Sequence, residues 1–299
     1  MSAAQPVVAT LPIPTLLNRA AGSSARAAHA LRSDRRFHVR EVEPAHIADA
    51  VRAEARRGTP RLLVCGGDGT LSAAIGAAAG TALEIALLPG GTLNHFARDF
   101  GVPGDDLTSA LEIAVNGTAQ PVDLGYVNGH PILNTSSVGV YVDFVRRRER
   151  LERHLGYRLA SAAAAAAVWH NPQPLAVALH TADGAHRRLR TPLLFVGIQE
   201  RVLDRAALGV RRAGGVRALH VLVVKEHTRL RIHRLAFRAA AVGIDAVVSD
   251  HEIECHLTTE ATVAMPRRTA TVAVDGELLR LTPPLRYQFV PGAARVVRW

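Results

Sequence analysis

The chain has 299 residues, 48% of them hydrophobic, enough to build two cored domains and too apolar for a disordered tail. Its 36 Lys and Arg outnumber 26 Asp and Glu, a formal charge of +10 that favours anionic partners: nucleic acid, nucleotide phosphates or acidic lipid surfaces. Two cysteines, Cys65 and Cys255, neither in a CxxC pair, exclude a disulfide framework and a cysteine zinc site and point to a reducing, cytoplasmic setting.

In chain order, the N-terminus lacks the basic-then-apolar pattern of a secretory signal. From about Thr10 to Leu124, short apolar runs alternate with helical patterns. Pro14–Leu17, Arg61–Cys65, Ala82–Leu88 and Pro121–Leu124 read as strands; Ser24–Arg32, Ala45–Arg57, Leu71–Ala79 and Leu107–Val115 read as helices. That alternation predicts an α/β domain, a parallel sheet covered by helices. After Leu124 the texture changes to strands separated by turns such as Gly129-His130 and Ala182-Asp183-Gly184. Pro131–Asn134, Leu175–Leu179, Leu193–Ile198, Ala218–Val224, His251–Leu257 and Thr271–Val274 read as strands, which predicts a mainly antiparallel, sandwich-like β domain. Its one clear helix is Phe144–Trp169, helped by the alanine run Ala162–Ala167. The longest apolar stretch, around Ala160–Trp169, is too short to span a bilayer. The expected domains are residues 1–124 and 125–284, with the strand-like segment 285–299 returning to the first.

The stretch RLLVCGGDGTLSAAIG places Gly66, Gly67, Asp68, Gly69 and Thr70 between a strand and a helix. Glycines permit positive φ and close backbone approach, and free N–H groups at a helix start attract anions. The spacing matches neither GxGxxG nor the Walker pattern. A tight turn with a helix cap would account for one such loop. A second, PGGTLNHFAR, puts Gly90, Gly91, Thr92 and Asn94 after the next strand, and Asn18-Arg19-Ala20-Ala21-Gly22 follows the first strand. Loops ending successive parallel strands share the sheet edge where α/β folds bind ligands. An aspartate among them calls for a metal, a water or a sugar hydroxyl.

These motifs resemble the diacylglycerol-kinase catalytic-domain family, which includes bacterial lipid kinases, sphingosine kinases and ceramide kinases. The resemblance spans nearly the whole chain: Asn18–Gly22 resembles the NPxxG loop with Arg19 for proline, GGDGT and PGGTxN follow, and Val122–Gly125 resembles VDLG. Leu133-Asn134 to Gly139, AVDGEL at Ala273–Leu278 and Val290–Ala293 complete it. It implies transfer of the γ-phosphoryl group of ATP to a lipid hydroxyl such as diacylglycerol, with Mg²⁺ as the metal. Residues 1–124 would bind the nucleotide and 125–284 the lipid, taken from the inner membrane face by a peripheral protein. By carry-over, Asn18, Gly22, Gly66–Thr70, Gly90, Gly91, Thr92 and Asn94 hold the nucleotide, and Asp68 and Asp123 serve the metal. Asp275 and Glu277 divide acceptance of the hydroxyl proton and its orientation. Alone, Asp275-Gly276 reads as an ordinary hairpin turn; beside the glycine loops it reads as catalytic.

Three departures stand out. His95 replaces an acidic residue of GGTGND, and reads either as a phosphate ligand or as a core or surface histidine. Ser72 and Ala73 replace Asn and Glu after GGDGT. Ala213–Val224 carries no carboxylate where relatives have an acidic DDGxLD loop for a structural Mg²⁺, and His220 stands near its last aspartate; that site is expected to be absent, the catalytic Mg²⁺ arriving with ATP. A catalytically weak lipid- or nucleotide-binding member is therefore an alternative. NAD kinase, which shares GGDGT, is a lesser one because PGGTLNHFAR does not continue as its motif does. The basic run RRRERLERH at Arg146–His154 reads as a solvated helix face with Arg–Glu pairs or as a lipid-facing patch, to which Arg187, Arg188 and Arg190 add charge. No aromatic interleaving favours nucleic acid, and the scattered histidines propose no zinc site.

Overall fold

The computed structural model describes residues 12–20, 24–91, 97, 100–104, 106–170, 174–202, 211–225 and 253–299. Two compact units divide the chain: Met1–Leu124 with Pro291–Trp299, and Gly125–Val290.

The first unit alternates β1 (Ile13–Asn18), α1 (Ser24–Ser33), β2 (Phe37–Val42), α2 (Ile47–Arg56), β3 (Arg61–Gly66), α3 (Asp68–Ala78), β4 (Glu84–Pro89) and α4 (Leu107–Asn116). Its sheet runs β2-β1-β3-β4, every pair parallel. The end of the last strand, β16 (Leu285–Arg298), pairs parallel to β4 through Arg295 and Glu84. All six residues of β3 and of β4 are buried. That is why both read as continuous apolar runs: helices cover both faces of a parallel sheet. β2, FHVREV, escapes the sequence reading because it is an edge strand whose exposed His38, Arg40 and Glu41 interrupt the alternation that marks a strand. Arg61 and Glu84, paired in register, form an ion pair at 2.8 Å with both side chains at most 4% exposed. The same guanidinium donates to the carbonyls of Ala114, Val115 and Gly117 at 2.9–3.0 Å, satisfying the C-terminal turn of α4.

The second unit is antiparallel β, as expected. Its strands are the end of β5 (Thr118–Val127), β6 (His130–Ile132), β7 (Thr135–Gly139), β8 (Leu175–Thr181), β9 (His186–Thr191), β10 (Leu193–Ile198), β11 (Leu219–Val224), β12 (Ile253–Thr258), β13 (Glu260–Ala264), β14 (Ala270–Val274), β15 (Glu277–Leu281) and the start of β16. One sheet runs β12-β11-β10-β7-β14-β15; the other joins β16 to β13, β8 and β9. Val196, Val221 and Val272 from the first meet Leu179, Val263 and Tyr287 from the second in one core. The expected strand Pro131–Asn134 covers the end of β6 and a bend at residues 133–134, after which β7 begins. Helix α5 (Val140–His170) begins earlier than expected and is not continuous: Gly156, at φ 69 and ψ 166, breaks it in two. No helix among the described residues is long and apolar enough to cross a membrane.

Candidate functional site

Because β1, β3 and β4 are parallel, their C-terminal ends lie on one edge of the first unit's sheet, with Asn18, Gly66 and Pro89 as their last residues. Gly66 pairs with Pro89 in register, and the Gly90 N–H donates to the Gly66 carbonyl at 2.8 Å. Asn18, 6% exposed, donates from Nδ2 to Thr70 Oγ1 at 2.7 Å, while its Oδ1 accepts from the Ala20 N–H at 2.9 Å. Three segments predicted to converge thus touch one another directly.

The glycines serve closeness rather than an unusual φ. Among the described residues, none of Gly66, Gly67, Gly69, Gly90 and Gly91 has positive φ, which corrects one half of the sequence argument. A Cβ on Gly66 would lie 2.5 Å from Thr70 Cβ, and one on Gly90 would lie 3.2 Å from Gly66 Cα. Only glycine lets the two loops and the first turn of α3 stack this tightly. A second correction concerns the helix start: α3 begins at Asp68, not Leu71, so Asp68, Gly69 and Thr70 form its first turn. Its N-cap is Gly67, which has no side chain with which to cap it. Backbone N–H groups at such a start and the helix dipole attract an anion.

Asp68 sits in that first turn, half-buried. Asp123, on β5, is 3% exposed and accepts the Gly292 N–H at 2.8 Å through Oδ1. No three His, Cys, Asp or Glu side chains converge on a metal-binding position among the described residues. Asp68 and Asp123 each offer carboxylate oxygens, the donor type that Mg²⁺, a hard ion reluctant to dehydrate fully, takes. Gly22, Thr92, Asn94 and His95 lie outside the described residues. Below this edge, burial pushes the Cys65 thiol up to about 12.

In the second unit, Asp275 and Gly276 form the two-residue turn of the β14–β15 hairpin, with φ of 50 and 92 and Val274 opposite Glu277. Asp-Gly favours this geometry, since both central residues need positive φ. The Asp275 carboxylate accepts three backbone N–H bonds, from Leu133 at 2.8 Å, Asn134 at 2.8 Å and Thr135 at 2.9 Å. Its own N–H donates to the Thr135 carbonyl at 2.8 Å. Glu277, two residues on, is exposed.

The same bend is gripped from its carbonyl side by two residues the sequence reading missed. Arg201, 2% exposed, donates from Nη2 to the carbonyls of Asn134 at 2.6 Å and Ile198 at 2.9 Å. Arg211 donates to the Leu133 carbonyl at 2.7 Å. His220, 4% exposed, accepts the Arg201 backbone N–H at Nδ1, 3.0 Å away. The carboxylate-free stretch 213–224 was the only hint that cationic side chains occupy this neighbourhood.

Residues 16–127 match the family model described as diacylglycerol kinase catalytic domain. A Mycobacterium tuberculosis protein named diacylglycerol kinase is 35% identical over 112 residues, 36% of this chain and 36% of that one. A Cronobacter sakazakii protein named "Probable lipid kinase YegS-like" is 39% identical over 90 residues, 29% of this chain and 30% of the other. The matched stretch thus spans about a third of these relatives. A solved diacylglycerol kinase structure from Bacillus anthracis superimposes with a TM-score of 0.64, covering 96% of each chain at 18% identity; at that identity the likeness concerns the fold.

Proposed function

We propose, from the match of residues 16–127 to the diacylglycerol kinase catalytic-domain model, that the chain transfers the γ-phosphoryl group of ATP to the hydroxyl of a lipid such as diacylglycerol. The observation that carries this reading is the convergence of Asn18, Gly66–Thr70, Gly90 and Gly91 on one sheet edge. The uncapped start of α3 holds phosphate oxygens through backbone N–H groups. Asn18 fixes Thr70 and with it the first helical turn. Gly22, Thr92 and Asn94 extend the nucleotide contacts. Phosphoryl transfer asks mainly for positioning and charge neutralisation, and this edge supplies both. Asp68 and Asp123 would hold Mg²⁺, which supplies positive charge against the phosphate oxygens.

The two candidate carboxylates divide their work. Asp275 is committed to three backbone N–H groups and positions the hairpin turn; exposed Glu277 accepts the proton of the lipid hydroxyl. The hydroxyl oxygen forms the new P–O bond, the bond to the β-phosphate oxygen breaks, and ADP leaves with that electron pair. The acceptor is drawn from the inner membrane face by a cytoplasmic, peripheral protein. Incubating the protein with γ-labelled ATP and a panel of lipid alcohols is the test, and label in the organic phase is the expected result. Tight nucleotide binding with no labelled lipid would instead support the second reading, a lipid- or nucleotide-binding protein without transfer, to which the commitment of Asp275 lends weight.

A further inference from the structure

Strand register fixes which side chains share the outer face of the β16-β13-β8-β9 sheet. Val177, Leu179, Val263 and Tyr287 point into the core of the second unit, so their neighbours along each strand point out. The pairs Ala176–Arg190 and Ala178–Arg188 lie on that outer face. So does Thr262, opposite His180 on one side and Arg286 on the other. Arg188, Arg190 and Arg286 are exposed, and Glu260 is the carboxylate that β13 adds at one end. Exposed Arg267 and Arg268 follow directly in the turn after β13. A groove of about 550 Å³ runs here, lined by Ala176, Ala178, Arg188, Arg190, Ala264 and Met265. Its walls are arginine stems and its floor is small and apolar.

We propose that this sheet face docks the protein on an anionic phospholipid surface. Arginines clustered beside an apolar floor suit phosphate headgroups, with the groove taking the glycerol and first methylenes beneath them. Tyr287 and Phe289 of this sheet belong to the inner core, and the rings on the outer face, His180 and His186, already pack edge to face on each other with centroids 3.7 Å apart, so no Phe, Tyr or Trp platform for stacking successive bases is built there. Arg146 and Arg148 of α5 are a poorer candidate because they meet acids of their own helix, Arg146 with Asp143 at 3.5 Å and Arg148 with Glu152 at 3.7 Å, and neither lines the groove. The choice of a bilayer over another polyanion rests on the kinase reading above, which needs a membrane-borne acceptor.

The test is co-sedimentation of the full chain with phosphatidylcholine vesicles, with and without phosphatidylglycerol. Each arginine at such a surface contributes roughly a fivefold gain in partitioning. Arg188→Gln with Arg190→Gln should therefore weaken phosphatidylglycerol-dependent binding roughly 30-fold, and rising salt should abolish it. Arg188→Lys with Arg190→Lys, which keeps the charge, should restore binding, and Arg146→Gln with Arg148→Gln, whose cations already meet acids of α5, should leave it nearly unchanged. Equal binding to both vesicle types, indifference to the Arg188 and Arg190 changes, or tighter binding to a single-stranded oligonucleotide at the same salt would overturn the proposal. Sedimentation needs no catalysis. Vesicle docking without phosphoryl transfer to any lipid would therefore sink the kinase reading and leave this surface standing.

Discussion

The Asn18 carboxamide reaches across 52 positions of sequence to donate to Thr70 Oγ1 at 2.7 Å, tying the end of β1 to the first turn of α3. Replacing it with alanine removes the tie and leaves Thr70 to reorient. Asn18→Ala should lower stability by about 1 kcal/mol and weaken nucleotide binding by roughly tenfold. Titration with a fluorescent ATP analogue reads the second effect and urea unfolding the first. Unchanged nucleotide affinity would separate this contact from the binding site.

Asp275 and Glu277 should separate in their readouts. Asp275→Asn turns one acceptor oxygen into a donor facing backbone N–H groups, so it should cost about 1–3 kcal/mol of stability. Glu277→Gln alters an exposed side chain and should leave the unfolding midpoint alone while lowering kcat about 100-fold or more. The reverse pattern, a stable Asp275→Asn with no activity and a fully active Glu277→Gln, would reassign the base.

The bend at residues 133–135 is held by side chains, with Asp275 on its amides and Arg201 and Arg211 on its carbonyls. Chelation with EDTA should therefore leave the thermal midpoint of the ligand-free protein unchanged. Arg211→Ala, which removes a charged donor from the Leu133 carbonyl, should cost about 1.5–3 kcal/mol. A large drop in midpoint on chelation would mean that a metal shares this work.

Alkaline pH should unfold the protein through two buried acids. Burial pushes the Tyr287 phenol from 10.0 up to about 12, against a smaller opposing effect of the Ser136 hydroxyl. It moves the Cys65 thiol from 9.0 to about 12. The folded state keeps these protons while the unfolded chain releases them, so their stabilising effect is complete below pH 9 and is lost as pH rises through about 12. Urea midpoints measured along that range should fall, and Tyr287→Phe should flatten the part above pH 10.0.

Much of this was legible because burial leaves a one-dimensional trace. β3 and β4 are buried on both faces and read as unbroken apolar runs. β9, HRRLRT, and β15, ELLRL, were missed because edge strands with charged outward positions lose the alternation that marks a strand. The break at Gly156 hides in a helical composition, since a lone glycine between good helix formers is normally tolerated. The glycine loops were legible as turns at one sheet edge, but the reason for the glycines, contact between loops, needs the pairing of β3 with β4. The role of Asp275 was out of reach because its partners lie about 140 residues earlier. Arg201 and Arg211 were hidden for the same reason, their carbonyl partners being 67 and 78 positions away.

If the C-terminal edge of the first unit's sheet holds the triphosphate, its backbone amides will report the bound phosphates. Backbone amide NMR during titration with ATP and Mg²⁺ tests this most directly. The amides of Gly67, Asp68, Gly69, Thr70, Gly90 and Gly91 should shift together with one dissociation constant, while those of β8 and β9 stay still. Saturable binding that moves other amides and leaves these six in place would contradict the account.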